Sequence, residues 1–335
     1  MKKIIFISLL LFISTGFALP NIKPMYLQKG DTVALISSGF RVPTAQDIQF
    51  ATERMHALGL KVVYGKYILK QDGYFAGLDK QRAADINTMF ANPKVKAIIE
   101  LRGGWGSARI LKYLNYPLIR QHPKILLGFS DITSLLLAIH KKTGLITFHG
   151  PLAASFPWTH YTVNYLKQIL FAGKAITLQN PIIKSDDLTN TIDRIETIHP
   201  GSASGEIIGG NLTVLVSLLG SPYLPSFKHK ILFVEDTRED VYQIDRMLTQ
   251  LQTAGALKHI SGFIFGRCTA CTANVSYGSY RLNQVIRQHI LPLNIPAWSG
   301  AMIGHQADMF TIGEGEKVRI DASRGTITML HPAVS

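Results

Sequence analysis

Three residues far apart in the chain have the types needed to activate a hydroxyl. Ser130 lies in Gly128-Phe129-Ser130-Asp131, between the apolar run Ile125, Leu126, Leu127 and a helical repeat of apolar residues at Ile132, Leu135, Leu136 and Ile139. A strand that becomes a helix in so few residues bends sharply. The bend presents Ser130 at the helix N-terminus, where unpaired N–H groups and the helix dipole stabilise a negative oxygen. A serine hydroxyl becomes a nucleophile when a base takes its proton and a third polar group holds that base in the right tautomer. Glu235 ends the apolar run of residues 231–234, so it belongs at a sheet edge or in a cleft. His305 lies in Ile303-Gly304-His305-Gln306, after an expected strand around Ala297 and Trp298. Each residue alone also has an ordinary reading. Ser130 or Asp131 can cap the following helix, and a single histidine is commonly structural or solvent-facing. The G-x-S of a nucleophile elbow is present, but Ile132 stands where its second glycine belongs.

Arg102-Gly103-Gly104-Trp105-Gly106 follows the apolar run at 95–101 and precedes a helix expected from near Ser107. Glycines let a backbone approach a ligand closely, and free N–H groups in such a loop bind an anion or an oxyanion. The stretch matches neither G-x-x-x-x-G-K nor G-x-G-x-x-G, and a glycine-rich turn without a ligand is the alternative. Cys268 and Cys271 are the only cysteines. They lack a second ligand pair for zinc and the flanking context of a redox motif, so bridged or free they read as structural or incidental.

The elements that must position these residues alternate. Strands are expected at 31–37, 60–64 and 95–101, with helices at 44–58 and from Asp79 to Phe90, then a strand at 146–149 and a helix at 161–172. Strands alternating with helices predict a parallel sheet covered on both faces, and such sheets bind ligands beyond the carboxyl ends of their strands. From 173 to 204 the pattern weakens into a linker. A second, smaller α/β domain is expected over 205–335, with helices at 212–219 and 241–251, strands at 230–234 and 260–266, and a hairpin about Arg324-Gly325.

The 335 residues, 47% hydrophobic and 17% charged, suit a compact two-domain protein. Lys2 and Lys3 precede an apolar run from Ile4 to Phe12, and Gly16-Phe17-Ala18 supplies small residues for cleavage, so residues 1–18 read as a secretory signal peptide. A membrane anchor is the alternative, but the run is short for a span. The mature chain, 19–172 plus the second domain, is then soluble, exported and periplasmic, with no stable membrane insertion. The net charge of +13 is scattered without a run of five basic residues, which gives nucleic-acid binding no support.

Taken together the motifs resemble the LD-carboxypeptidase family, the serine peptidases of the murein tetrapeptide carboxypeptidase and microcin-immunity group. The residues that carry the likeness are GFSD at Ser130, ITFHGP, the RGGWG loop, GEIIGGNLTVL from Gly205, FVEDTRE with YQIDRML at Glu235, GRCTAC, and the G-H-Q loop at His305. The resemblance implies an active site in the cleft between the domains, with Ser130 as nucleophile, His305 as general base and Glu235 orienting it. It implies an oxyanion hole from the backbone N–H groups of Asp131 and Gly104, a substrate site including Arg102, Gly103 and Trp105, and neither metal nor cofactor. Arg102 is the expected partner of the substrate's terminal carboxylate, with a surface salt bridge as its plain alternative. The implied substrate is a murein tetrapeptide that loses D-alanine, and a homodimer is possible. Known cytoplasmic members lack the signal segment, so peptide trimming in the periplasm is expected here. The alternatives are microcin-immunity-type cleavage of a peptide conjugate and a non-catalytic periplasmic binding protein whose cleft holds a ligand uncut.

Overall fold

The computed structural model describes residues 19–155, 157–182, 189, 193–272, 278 and 280–335; the expected signal segment, 1–18, lies outside the described residues. The first half alternates as the sequence predicts, except that two short helices stand where one was expected from near Ser107: β1 (Thr32–Ile36), α1 (Ala45–Ala57), β2 (Lys61–Tyr64), α2 (Asp79–Ala91), β3 (Val95–Glu100), α3 (Ser107–Ile110), α4 (Tyr116–Gln121), β4 (Ile125–Gly128), α5 (Thr133–Thr143) and β5 (Thr147–His149). Its five strands pair in parallel in the order β5-β4-β3-β1-β2. Local chemistry sets the boundaries. Thr44 and Asp47 form a reciprocal capping box that starts α1, and Gly59, at φ 81°, ends it in the left-handed conformation that costs glycine nothing.

After α6 (His160–Leu166) come β6 (Thr177–Leu178), β7 (Glu196–His199), β8 (Ser202–Asn211), α7 (Leu212–Ser217), β9 (Ile231–Thr237), α8 (Val241–Thr253), β10 (Gly262–Thr269), α9 (Leu282–Ile290), β11 (Ala297–Ser299), β12 (Ile312–Glu314), β13 (Lys317–Asp321) and β14 (Thr326–Met329). The second sheet has the order β6-β14-β13-β8-β9-β10-β11-β7. Its centre, β8 to β11, is parallel, and its flanks are antiparallel. The stretch read as a linker, 173–204, therefore supplies β6, β7 and the start of β8 to this sheet. One strand also crosses back, for β12 pairs antiparallel with β5 and stitches the second half of the chain to the first sheet.

Helix α5 is the piece both halves share. Its spacing predicts one apolar face, yet Thr133 to His140 are buried without interruption. The helix is covered on one side by its own sheet and on the other by β8 and α7. Leu135, Leu136, Leu137 and Ile139 have no exposed surface, and each contributes about 1.5–3 kcal/mol by leaving water. The close approach depends on Gly210, which sits at φ 128° where a Cβ would fall 2.5 Å from Thr133 Oγ1. The neighbouring Asn211 N–H donates to that hydroxyl at 3.0 Å. Ser130, one turn before α5, is thereby fixed relative to β9 of the other half.

Candidate active site

Phe129 leaves β4 extended, at φ −154°, and Ser130 turns the chain at φ 64°. For a residue with a Cβ the left-handed region costs of order 1–3 kcal/mol, and it persists where surrounding structure enforces it. A single 3-10 turn, Ser130–Ile132, then runs into α5. Neither Ser130 nor Asp131 caps this helix through its side chain. The strained bend holds the hydroxyl out into the cleft instead.

His305 and Ser130, 175 residues apart, meet there: His305 Nε2 lies 3.0 Å from Ser130 Oγ. On the other side of the ring, His305 Nδ1 lies 2.8 Å from Glu235 Oε2. With the proton on Nδ1, the imidazole donates to Glu235 and its Nε2 accepts from the serine hydroxyl. Glu235 sits near the carboxyl end of β9 and is completely buried. Gly304, at φ 125°, brings the histidine loop against it, since a Cβ there would stand 2.9 Å from Glu235 Oε2. The ring of His305 also packs edge-on against Phe129, centroids 4.8 Å apart, which fixes its tilt. Burial lowers the proton affinity of His305, but the charge and hydrogen bond of Glu235, with help from Asp236, outweigh it and leave the imidazole above its ordinary value.

His149, in the ITFHGP segment, lies behind this pair. It is fully buried between Phe129 and Phe233, and burial takes its pKa down to about 4, so it is neutral packing under the site. Among the described residues no group of three or more His, Cys, Asp or Glu side chains is arranged to hold a metal ion.

Asp131 has a side-chain task that the sequence did not disclose. Its carboxylate turns away from α5 and accepts from Gly106 N–H at 3.2 Å, Ser107 N–H at 2.9 Å and Ser107 Oγ at 2.7 Å. It thus caps α3 and ties the glycine loop to the serine turn. Beneath it Ser38 bridges Ser107 Oγ and Glu100, whose carboxyl is pushed up to about 8 by burial. Asp131→Ala strands three buried donors, so a loss of about 3 kcal/mol is expected. Thermal melts of the two proteins check it, with Asp131→Asn, which keeps one acceptor, falling between them.

Gly103 lies closest to the serine: a Cβ on it would stand 3.0 Å from Ser130 Cβ and 3.5 Å from Asp131 N. Gly104, at φ 106°, packs under Phe40, into whose ring a Cβ would run at 2.4 Å. Arg102, Gly103 and Gly104 all line the cleft, a space of about 360 Å³ at the mouth of the site. Arg102 lies over the Phe40 ring, 5.7 Å from its centroid, and has no carboxylate partner among the described residues. Trp105 is 43% exposed and outside the cleft lining. The opposite wall is made by Thr237, Arg238, Thr269 and Ala270, which sequence reasoning did not single out. Their advance signal was membership of the FVEDTRE and GRCTAC motifs, just beyond Glu235 and between the cysteines. Cys268 and Cys271 are joined in a disulfide that brackets Thr269 and Ala270.

Residues 33–150 match the LD-carboxypeptidase N-terminal domain and residues 204–320 the LD-carboxypeptidase C-terminal domain. A probable murein peptide carboxypeptidase of Bacillus subtilis is 37% identical over 309 residues, 91% of this chain and 93% of that protein. The microcin C7 self-immunity protein MccF of Escherichia coli is 31% identical, with 92% of this chain and 96% of that protein aligned. Among solved structures, MccF in complex with glutamyl sulfamoyl guanosine superposes with a TM-score of 0.84 at 27% identity, over 93% of this chain and 99% of that one. The muramoyltetrapeptide carboxypeptidase from Oxalobacter formigenes superposes with a TM-score of 0.76 at 26% identity, over 90% and 99%.

Proposed function

The chain belongs to the LD-carboxypeptidase family, and on that premise we propose that it releases terminal D-alanine from murein tetrapeptides through Ser130, His305 and Glu235. Its class, a serine-type carboxypeptidase acting on peptidoglycan peptides, comes with the family. The observation that carries the finer reading is the pair of contacts at 3.0 and 2.8 Å that link a hydroxyl, an imidazole and a buried carboxylate in one line. A binding protein needs no such line and no serine held in a left-handed turn.

In this reading Ser130 Oγ attacks the carbonyl of the L,D amide bond while His305 Nε2 takes its proton. The oxyanion lies between the backbone N–H groups of Asp131 and Gly104. Support for Gly104 comes from its peptide unit: the Gly103 carbonyl accepts from Phe40 N–H at 3.2 Å, and in a trans peptide the N–H points the opposite way. His305 then protonates the departing D-alanine amine, and a water activated by the same imidazole releases the shortened peptide. Arg102 holds the terminal carboxylate, its guanidinium fork free of any acidic side chain among the described residues.

Incubation with tri-, tetra- and pentapeptide stems, read by mass spectrometry, tests the substrate: one alanine is lost from the tetrapeptide alone. An unchanged tetrapeptide overturns the reading. The base must be neutral to act, and His305 binds its proton more tightly than a free imidazole. The acid limb of kcat/KM is therefore expected above the ordinary histidine value of about 6.5, with activity falling as pH drops through it. A limb well below that value contradicts the assignment of His305 as base.

The likeness to MccF supports a second reading, in which the same three residues cut an amide-linked peptide conjugate. Substituting glutamyl sulfamoyl guanosine for the murein peptide in the same assay separates the two. We also place its action outside the cytoplasm, a reading supported by the charged and apolar leader at residues 1–18. Recovery from the periplasmic fraction of a chain beginning at Leu19 is the expected result.

A further inference from the structure

We propose that Arg238 reads a second substrate carboxylate, so that the cleft selects stem peptides carrying an acid on the acyl side of the bond as well as at the chain end. The inference rests on the carboxypeptidase reading above and deepens it.

Arg238 and Arg102 line one cleft from its two walls, the first contributed by the turn after β9 and the second by the glycine loop after β3. Arg102 is committed to the chain end. A second cation on the facing wall needs its own anion. Arg238 is exposed, and among the described residues its side chain makes no ion pair or hydrogen bond. This is unusual in its surroundings, because Glu235, Asp236, Glu239 and Asp240 all lie within a few residues of it. Three of those carboxylates are turned elsewhere, Glu235 to His305, Asp236 to Asn211 and Thr213, and Asp240 to Thr272, and Glu239 makes no ion pair with Arg238 among the described residues. None of the four acids pairs with the guanidinium among the described residues, and Arg238 lines the cleft.

The backbone is built to keep it there. Arg238 is held at φ 60°, a region that glycine or asparagine occupies at little cost and arginine does not. Its N–H donates to Thr269 O at 2.9 Å, and Thr237 Oγ1 donates to the same carbonyl at 3.0 Å. That carbonyl lies inside the loop closed by the Cys268–Cys271 disulfide, whose other residue, Ala270, is itself left-handed at φ 56°. A clamped turn thus carries an arginine at a position where its side chain is not needed for folding. A planar fork suited to carboxylates, rigidly based and without an internal partner, is a recognition element.

A murein stem offers two acids that fit: the free carboxylate on a diaminopimelate side chain, absent when that residue is lysine, and the α-carboxylate of its γ-linked glutamate, absent when that residue is amidated. Steady-state kinetics on two pairs of tetrapeptides, diaminopimelate against lysine and glutamate against its amide, with wild type, Arg238→Ala and Arg238→Lys, separates them. The wild type is expected to favour the acid-bearing member of one pair by about 2- to 5-fold, mainly in KM, as befits a charge contact worth up to about 1 kcal/mol at an exposed rim. In Arg238→Ala that preference collapses toward unity, and in Arg238→Lys part of it returns. The pair in which this happens identifies the carboxylate. Equal ratios in wild type and Arg238→Ala for both pairs overturn the inference while the carboxypeptidase reading stands. A wild type that cuts none of the four peptides overturns both.

Discussion

Ser130→Ala is expected to abolish release of D-alanine from the murein tetrapeptide, a fall of about 10⁴-fold or more in kcat, without unfolding the protein. The expectation has two independent parts. Chemically, the variant lacks the hydroxyl that faces His305 Nε2 at 3.0 Å, so no acyl-enzyme forms. Structurally, alanine keeps the Cβ and therefore the same left-handed cost at φ 64°, while the turn stays fastened by Asp131, Gly103 and α5. The melting temperature should then match the wild type within a degree or two, or rise slightly. A Ser130→Gly variant sharpens the comparison, since glycine relieves the strain; it should be equally inactive and more stable. Single-turnover assays with purified variants check the first part and calorimetry the second. An alanine variant with wild-type turnover removes the serine mechanism altogether.

Much of this arrangement was legible in the sequence because the period of apolar residues survives in it. The runs at β1, β3, β4, β9 and β10 are buried parallel strands, and their apolar content announces them. β8 was missed for the opposite reason. Its residues, Ser-Ala-Ser-Gly-Glu-Ile-Ile-Gly-Gly-Asn, are poor strand formers, and two of its glycines are there for space. At Gly209 a Cβ would lie 1.7 Å from Phe233 O, and at Gly210 it would meet Thr133. Such crowding between elements remote in sequence leaves no periodic trace. α9 was missed too, although Val285, Ile286 and Ile290 are at helical spacing. The three chemical residues were found because a serine at a strand-to-helix bend, a carboxylate ending an apolar strand and a histidine after glycine each break the local pattern. The supporting contacts were not. Asp131 reads as an ordinary helix cap, and only the fold shows that it caps α3 instead. Likewise Arg238 sits in an acidic run that looks like surface until Asp236 and Asp240 are seen to be held by other partners.

Glu235→Gln should cost about 10²- to 10⁴-fold in kcat/KM and move the acid limb of the profile downward, and the two effects have different causes. Glu235 is wholly buried, its Oε2 accepts a hydrogen bond from His305 Nδ1–H at 2.8 Å, and Gly304 packs against the same oxygen. A carboxylate in that place accepts from Nδ1 whichever oxygen it presents. An amide offers an acceptor from one end and a donor from the other. When the NH₂ end faces the ring, Nδ1 must accept, the proton shifts to Nε2, and the base points a hydrogen at the hydroxyl it should deprotonate. The fraction of enzyme in this wrong tautomer sets the loss in rate. The second effect follows from charge. The Glu235 charge and hydrogen bond are what lift His305 against its burial, so removing them lets burial prevail and lowers its proton affinity. The imidazole then stays neutral to lower pH, and the surviving activity should persist into acid where the wild type has already lost it. Measuring kcat/KM from pH 5 to 9 in both proteins separates these contributions. A rate loss with an unmoved limb assigns Glu235 to packing alone, whereas a limb displaced upward contradicts the electrostatic coupling between the two side chains.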